Sequence, residues 1–228
     1  MYLKRRYNII PEELNPEMAV ELLKEGNFRF VNNLKINRDM LQMVNETKDG
    51  QQPFAAILSC MDSRTSSELV FDQGLGDIFS IRIAGNVITQ HILGSLEFAT
   101  AVAGVKLILV LGHTGCGAIK GACDNVHMGH LTTLLQKIQP AVQEETSTVQ
   151  NRSSSNAEFV NNVAILNVKN SVQQIMEQST IIKELADNGT IGIVGAMYDV
   201  SNGKVTFYDK DAVMRTPMLP DDESVKVV

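Results

Sequence analysis

Two short stretches of the sequence combine residue types that bind metal ions. The stretch CMDSR begins at Cys60, and the stretch LGHTGCG contains His113 and Cys116. Thiolate sulfur and imidazole nitrogen are ligands that zinc prefers, and a set of three leaves the fourth tetrahedral position open to water or a substrate. The two stretches therefore predict a catalytic type of zinc site, provided that the fold brings these three residues together.

A carboxylate and a guanidinium accompany the first cysteine. Asp62 and Arg64 alternate with Cys60 in the stretch CMDSR. A carboxylate beside the open position could accept a proton from metal-bound water, whose pKa the metal lowers towards ~7, or it could hold the orientation of that water. A neighbouring arginine would keep this carboxylate ionised and orient it through two hydrogen bonds. Asp62 and Arg64 are therefore the candidate catalytic pair.

A second set of possible ligands lies in the stretch CDNVHMGH. Cys123, His127 and His130 would share one face of a helix, but Gly129 interrupts that helix and no carboxylate–arginine pair accompanies the set. This set is the weaker alternative. His91, near the start of a predicted helix, has no evident partner and is interpreted as a structural residue.

Apolar segments precede both metal-binding stretches and predict the strands that position them. Continuous apolar runs at 53–60 and 106–112 are typical of strands covered on both faces, and 77–85 is a further strand between them in the sequence. In an open α/β sheet, ligands bind beyond the carboxyl ends of the strands, where the strand order reverses. With the order 2-1-3-4 the first and third strands are neighbours, so the two metal-binding stretches would meet.

Helical segments alternate with these strands. The first has a candidate N-cap, Asn15, followed by Pro16, and another has a possible capping box formed by Thr65 and Glu68. The predicted helices span residues 15–33, 65–72, 89–104, 130–145, 157–179 and 180–189. Two late strands joined by the turn SNG predict a hairpin.

The alternation of strands and helices predicts one α/β domain over residues 1–228. Its expected architecture is a mainly parallel open sheet with an order like 2-1-3-4, flanking helices and an antiparallel edge hairpin. An N-terminal arm and helix are expected over residues 1–33, and a C-terminal tail over residues 211–228.

The composition excludes several functional classes. The chain has 228 residues, 44% of them hydrophobic, and a net charge of −6, without a basic block that would favour nucleic-acid binding. No apolar run approaches the ~18 residues of a membrane span, and no leader is visible, so a cytoplasmic protein is expected. Three cysteines are an odd, sparse set that favours reduced or metal-bound thiols over disulfides.

The paired stretches resemble the motifs of the β-class carbonic anhydrases, C-x-D-x-R and G-H-x-x-C-G. The similarity extends to LLKEGNFRF, GDIFSIRIAGNV and GAMYDVSNGKVTFYD and covers most of the chain. This resemblance implies a zinc lyase that reversibly hydrates carbon dioxide to bicarbonate and a proton through a zinc-bound hydroxide. It assigns one zinc ion per chain to Cys60, His113 and Cys116. It assigns the catalytic role to Asp62 with Arg64.

The resemblance also implies substrate-binding residues. Gln51 matches a glutamine that donates to a substrate oxygen, and Gly117 matches a backbone amide near the substrate. Phe79 and Phe98 match an aromatic wall around carbon dioxide, although many members have tyrosine at the second position. In the family the glutamine and the aromatics reach the site from a partner subunit, so a homodimer or higher homo-oligomer is expected. Val102 stands near the place of a histidine proposed as a proton shuttle in some members.

The residue at position 57 bears on the state of the metal site. One subgroup of the family closes its site by moving the aspartate onto zinc, and it has a tryptophan three residues before the first cysteine ligand. Here Ile57 occupies this position, and the chain has no tryptophan. Isoleucine cannot donate the indole N–H hydrogen bond, so Asp62 is expected to stay paired with Arg64 near neutral pH.

Three alternative functions are compatible with parts of this pattern. Relatives on the same fold hydrolyse carbon disulfide or carbonyl sulfide with the same ligands. A nucleotide-binding module is disfavoured because the glycines follow G-x-x-G-x-G instead of G-x-G-x-x-G. A purely structural zinc site would prefer four side-chain ligands. Metal analysis, combined with assays on each gas, separates these functions.

Overall fold

A five-stranded sheet forms the centre of the protein. The computed structural model describes residues 13–215, so the beginning of the predicted arm and most of the predicted tail lie outside the described residues. The strands are β1 (Ala55–Ser59), β2 (Ile78–Arg82), β3 (Leu107–His113), β4 (Gly192–Tyr198) and β5 (Val205–Phe207). Their order is β2-β1-β3-β4-β5, and all neighbours are parallel except the antiparallel pair β4–β5. The predicted strand order and edge hairpin are confirmed.

Helices flank the sheet in the described part of the chain. They are α1 (Pro16–Val31), α2 (Met40–Thr47), α3 (Ser67–Val70), α4 (Gln90–Glu97), α5 (Gly117–Cys123), α6 (Gly129–Gln136), α7 (Gln139–Glu144), α8 (Ala157–Gln178) and α9 (Thr180–Asp187). The turn Phe98–Val102 continues α4 as a π-helix. The predicted helix over 130–145 is divided into α6 and α7, because Pro140 lacks an N–H and lies in the first turn of α7. No helix within residues 13–215 is long and apolar enough to cross a bilayer.

Both faces of the sheet are buried, as its continuous apolar runs predict. Every residue of β1, β3 and β4 is buried, and successive strand residues point to opposite faces. Ala56, Leu58 and Ile108 belong to the core that includes α4 and α8, whereas Ile57 and Leu109 belong to the core that includes α1. These two cores fix the carboxyl ends of β1 and β3 side by side, where the two metal-binding stretches begin.

The predicted capping box at α3 is wrong. The residue that precedes this helix is Ser66, and its side chain makes no capping hydrogen bond. Thr65 is buried instead, with its hydroxyl oxygen 3.1 Å from the carbonyl oxygen of Cys60. Glu68 accepts a hydrogen bond of 2.6 Å from the hydroxyl of Ser80. A buried backbone acceptor of the preceding loop therefore takes the threonine hydroxyl away from the helix terminus.

The ends of the described chain agree only in part with the sequence predictions. The side chain of Asn15 accepts a hydrogen bond of 2.8 Å from the backbone N–H of Met18, so the predicted N-cap of α1 is confirmed. At the other end, Val213 forms an antiparallel bridge with Ile193 of β4. The predicted tail was expected to start at residue 211 as an arm or frayed end, yet its first residues pack against the sheet.

Candidate metal centre

The three predicted ligands converge at the carboxyl ends of the parallel strands. Cys60 directly follows β1, His113 is the last residue of β3, and Cys116 is the N-cap residue of α5. All three are buried, and their ligand atoms lie within 4.8 Å of one another. The sulfur atoms of Cys60 and Cys116 are 3.8 Å apart. The convergence that the strand order predicts is present in the fold.

The histidine is oriented as a metal ligand requires. The Nδ1 atom of His113 lies 3.0 Å from the carbonyl oxygen of Thr114, so this nitrogen carries the proton and donates. The Nε2 atom is then left with a free lone pair, and among the described residues it has no hydrogen-bond partner although it is buried. A buried polar atom without a partner is costly. The chemistry of this donor set, two thiols and one unpartnered imidazole nitrogen, fits zinc.

Electrostatics around the thiols also favour a cation. The hydrogen bond from Cys116 lowers the pKa of the Cys60 thiol, against the opposing effect of burial, and the amide of Gly85, 3.4 Å from the sulfur, acts in the same direction as Cys116. The same pairing, together with burial, raises the pKa of Cys116. One thiolate forms readily, and a second buried thiolate beside it needs a neighbouring positive charge. A divalent ion bound to these residues would supply that charge.

Asp62 and Arg64 form an ion pair next to the predicted ligands. The Oδ1 atom of Asp62 accepts from the Arg64 Nε at 2.9 Å, and its Oδ2 atom accepts from Nη2 at 2.7 Å. These hydrogen bonds hold the pKa of Asp62 well below its usual range, against the opposing effect of desolvation. The Oδ2 atom is also 4.0 Å from the Nε2 atom of His113. The carboxylate is therefore ionised, held by the arginine and directed at the ligand cluster.

Two functional candidates escaped the sequence analysis. Arg82 ends β2, and its side chain reaches the backbone of the CMDSR loop. Tyr198 ends β4, pairs in register with His113 and is buried. Burial raises the pKa of Tyr198, although nearby Arg64 opposes the shift. Their positions in the sequence could have identified them, because the last residues of all parallel strands lie at the same end of the sheet.

The predicted substrate-binding residues occupy two separate places in one chain. Gly117 directly follows Cys116 as the first residue of α5, where backbone N–H groups lack an intrahelical partner. Gln51, by contrast, is exposed and precedes β1, so it lies near the amino ends of the strands, whereas Cys60 lies at their carboxyl ends. Phe79 pairs with Ala56 in β1, about 13 Å before Cys60 at the usual rise of a strand. Within one chain, Gln51 and the two aromatic residues therefore lie away from the ligand cluster.

The aromatic pair forms a surface of its own. The rings of Phe79 and Phe98 meet edge to face, with centroids 6.4 Å apart. Together with His91 and other residues of β2 and α4, they line an open cavity of about 620 Å³. Phe98 is 54% exposed and Val102 is 71% exposed. These apolar side chains face solvent in the isolated chain.

The weaker metal-binding alternative is not assembled by the fold. Cys123 ends α5, His130 lies in α6, and His127 belongs to the segment between these helices. The three residues therefore do not share one helix face. Within residues 13–215, the only cluster of this type that could hold a metal ion is the one formed by Cys60, His113 and Cys116.

Known proteins are similar to this chain over most of its length. A family model described as carbonic anhydrase matches residues 55–205. The chain is 34% identical over 192 residues to a carbonic anhydrase of Mycolicibacterium smegmatis, which covers 84% of this chain and 92% of the relative. It is 36% identical over 198 residues to carbonic anhydrase 2 of Mycobacterium tuberculosis, with 86% and 94% of the two chains covered.

Solved structures with the same fold are also similar. A β-carbonic anhydrase of Aspergillus fumigatus superposes with a TM-score of 0.68 at 26% identity, over 77% of this chain and 83% of that one. A structure from Sordaria macrospora, described as one of two tetrameric β-carbonic anhydrases, superposes with a TM-score of 0.66 at 23% identity. That superposition covers 74% of this chain and 86% of the Sordaria chain.

Proposed function

Because the chain belongs to the β-class carbonic anhydrase family, we propose that it catalyses the zinc-dependent reversible hydration of carbon dioxide to bicarbonate and a proton. The observation that carries this proposal is the buried convergence of Cys60, His113 and Cys116 with an unpartnered Nε2 atom. One zinc ion held by these three residues would make hydroxide available at neutral pH by acidifying a water molecule.

The residues around the ligands have separate tasks in this proposal. The Oδ2 atom of Asp62 accepts a hydrogen bond from the attacking water and so orients its oxygen towards carbon dioxide. Arg64 keeps Asp62 ionised and oriented, because its planar guanidinium donates one hydrogen bond to each carboxylate oxygen. The backbone N–H of Gly117, at the start of α5, donates to a substrate oxygen. The proton released in the reaction passes to buffer, because the pKa of Asp62 is too low for the carboxylate to retain it.

The test of this function combines metal analysis with gas assays. We expect the purified chain to contain about one zinc ion and to hydrate carbon dioxide in a stopped-flow assay with a pH indicator. Carbonyl sulfide and carbon disulfide are assayed in parallel, since hydrolysis of either gas would use the same ligands. Zinc-containing protein that turns over a sulfur gas but not carbon dioxide would contradict the proposed substrate.

A homodimer or higher homo-oligomer completes the site in this proposal. Gln51, Phe79 and Phe98 lie away from the ligand cluster of their own chain, and Phe98 is largely exposed. A second copy would bring the same residues to this cluster and cover its apolar surface. The description of the Sordaria neighbour as tetrameric supports association between copies.

Activity is therefore expected to depend on association. Phe98→Glu places a charge on the apolar surface and should weaken association by more than about tenfold, which corresponds to 1.4 kcal/mol. Zinc content should be unchanged, whereas hydration activity should fall at least as far as the fraction of assembled protein, since Phe98 also belongs to the proposed aromatic wall. Sedimentation velocity and activity are measured on the same dilution series.

Val149→Glu is the matched control, because Val149 is 85% exposed on the loop between α7 and α8. It should associate and turn over like the wild type. A fully active monomer of either the wild type or Phe98→Glu would contradict the shared site.

A further inference from the structure

We propose that Arg82 is a positioning residue of the metal centre, which holds the backbone of the CMDSR loop and so aims the Cys60 thiol and the Asp62 carboxylate. This inference rests on the proposed function, since it assigns a role at the same site. Arg82 belongs to the edge strand β2, and its backbone partner in β1 is Ser59, the residue before Cys60.

The Arg82 side chain bridges two backbone carbonyls of the loop. Its Nε atom donates to the carbonyl oxygen of Cys60 at 3.2 Å, and its Nη2 atom donates to the carbonyl oxygen of Asp62 at 2.5 Å. A guanidinium presents these two N–H groups in one rigid plane, so both acceptors are held in a fixed relation to each other. The bridge therefore spans the metal ligand and the catalytic carboxylate.

Thr65, directly after the loop, contacts the same two carbonyls but does not link them to the neighbouring strand β2. The hydroxyl of Thr65 lies 3.1 Å from the Cys60 carbonyl oxygen and 2.9 Å from that of Asp62. A hydroxyl has only one proton to donate, so it serves one of these carbonyls at a time. The backbone N–H of Thr65 reaches Asp62 alone, at 3.1 Å. Among residues 13–215, Arg82 is the only donor to these two carbonyls from outside the segment 60–65.

The solvent-facing side of the CMDSR loop makes few contacts, so a contact from outside the loop is needed to fix its position. Met61 is 64% exposed, and the side chain of Arg64 is 52% exposed. The Asp62–Arg64 pair is internal to the loop, so it fixes the carboxylate relative to Arg64 but not relative to His113. A segment with few buried contacts opens at low free-energy cost. Arg82 links this segment to the sheet and thereby maintains the short distance between Asp62 and His113.

The experiment compares zinc release and turnover in Arg82 variants. Arg82→Ala should release zinc to a chromogenic chelator faster than the wild type, because loss of a partner behind a metal ligand typically lowers metal affinity about 10–100-fold. Its kcat should fall while KM changes little, because the carboxylate is misplaced rather than the substrate pocket. Millimolar guanidinium ion should partly restore both quantities, since it can occupy the vacated site. Arg82→Lys should be intermediate, because an ammonium lacks the planar fork.

Arg215→Ala is the matched control, because Arg215 is another exposed arginine and pairs with Asp187 at 3.0 Å, away from the loop. It should keep wild-type zinc release and turnover. If Arg82→Ala does not fold, Arg82→Gln and Arg82→Lys carry the comparison. A folded Arg82 variant with wild-type zinc release and kcat, or with defects that guanidinium does not relieve at all, would overturn the positioning role.

The two proposals can fail separately. If the wild type binds zinc but does not hydrate carbon dioxide, the proposed function fails, and the zinc-release series still decides the role of Arg82. If the wild type hydrates carbon dioxide and Arg82→Ala matches it in both measurements, only the positioning role is lost.

Discussion

Alanine at Cys60, His113 or Cys116 is expected to remove zinc from the protein and reduce carbon dioxide hydration to the uncatalysed rate. Each residue supplies one of three buried ligand atoms that lie within 4.8 Å of one another. Loss of one leaves two ligands, which is fewer than zinc sites in proteins use. The effect should exceed the about 10–100-fold that loss of an outer partner costs. Zinc per chain, measured by mass spectrometry, and stopped-flow hydration are the readouts.

Cys123→Ala provides the control for this series. Cys123 is a half-buried thiol, and burial raises its pKa to about 11. It ends α5 and lies outside the ligand cluster. This variant should keep zinc and activity, whereas full zinc occupancy in all three ligand variants would remove the assignment of the metal centre.

The architecture around the ligands could be predicted because its determinants are local in sequence. Continuous apolar runs identify β1 and β3 as buried strands, and parallel strands place their carboxyl ends at one edge. Cys60 and His113 stand at these ends, so the strand order alone brings them together. The residue types then favour zinc as the metal in the proposed site, since thiols and imidazole suit zinc.

Features that depend on tertiary contacts could not be predicted in this way. The Thr65–Glu68 spacing is that of a capping box, but the backbone carbonyls of Cys60 and Asp62 accept from the threonine hydroxyl instead. In the sequence, Arg82 is an ordinary charged residue at the end of a strand. It contacts the Cys60 and Asp62 carbonyls only because the folded loop passes beside it. The helix α5 was missed because Gly117 and Gly121 are poor helix formers, yet packing overrides that preference.

The Asp62→Asn and Arg64→Ala variants should keep zinc but lose about 10²-fold or more in kcat/KM, the loss that a misplaced reacting group causes. Neither side chain belongs to the ligand set, so metal content should match the wild type. Asp62→Asn removes the negative charge while preserving shape. Arg64→Ala removes both hydrogen bonds to the carboxylate oxygens.

The two variants differ in what they reveal about this pair. Without Arg64 the pKa of Asp62 rises towards its ordinary value of about 3.9, so the carboxylate is still ionised at pH 7. A loss of activity at neutral pH in Arg64→Ala therefore reports orientation, because ionisation is unchanged there. Arg64→Lys should recover only part of the loss, since an ammonium cannot occupy both oxygens in one plane. Wild-type kcat/KM in both Asp62→Asn and Arg64→Ala, with zinc bound, would exclude the pair from the reaction. A loss of kcat/KM in Asp62→Asn alone would support the role of Asp62 and contradict the orienting role of Arg64.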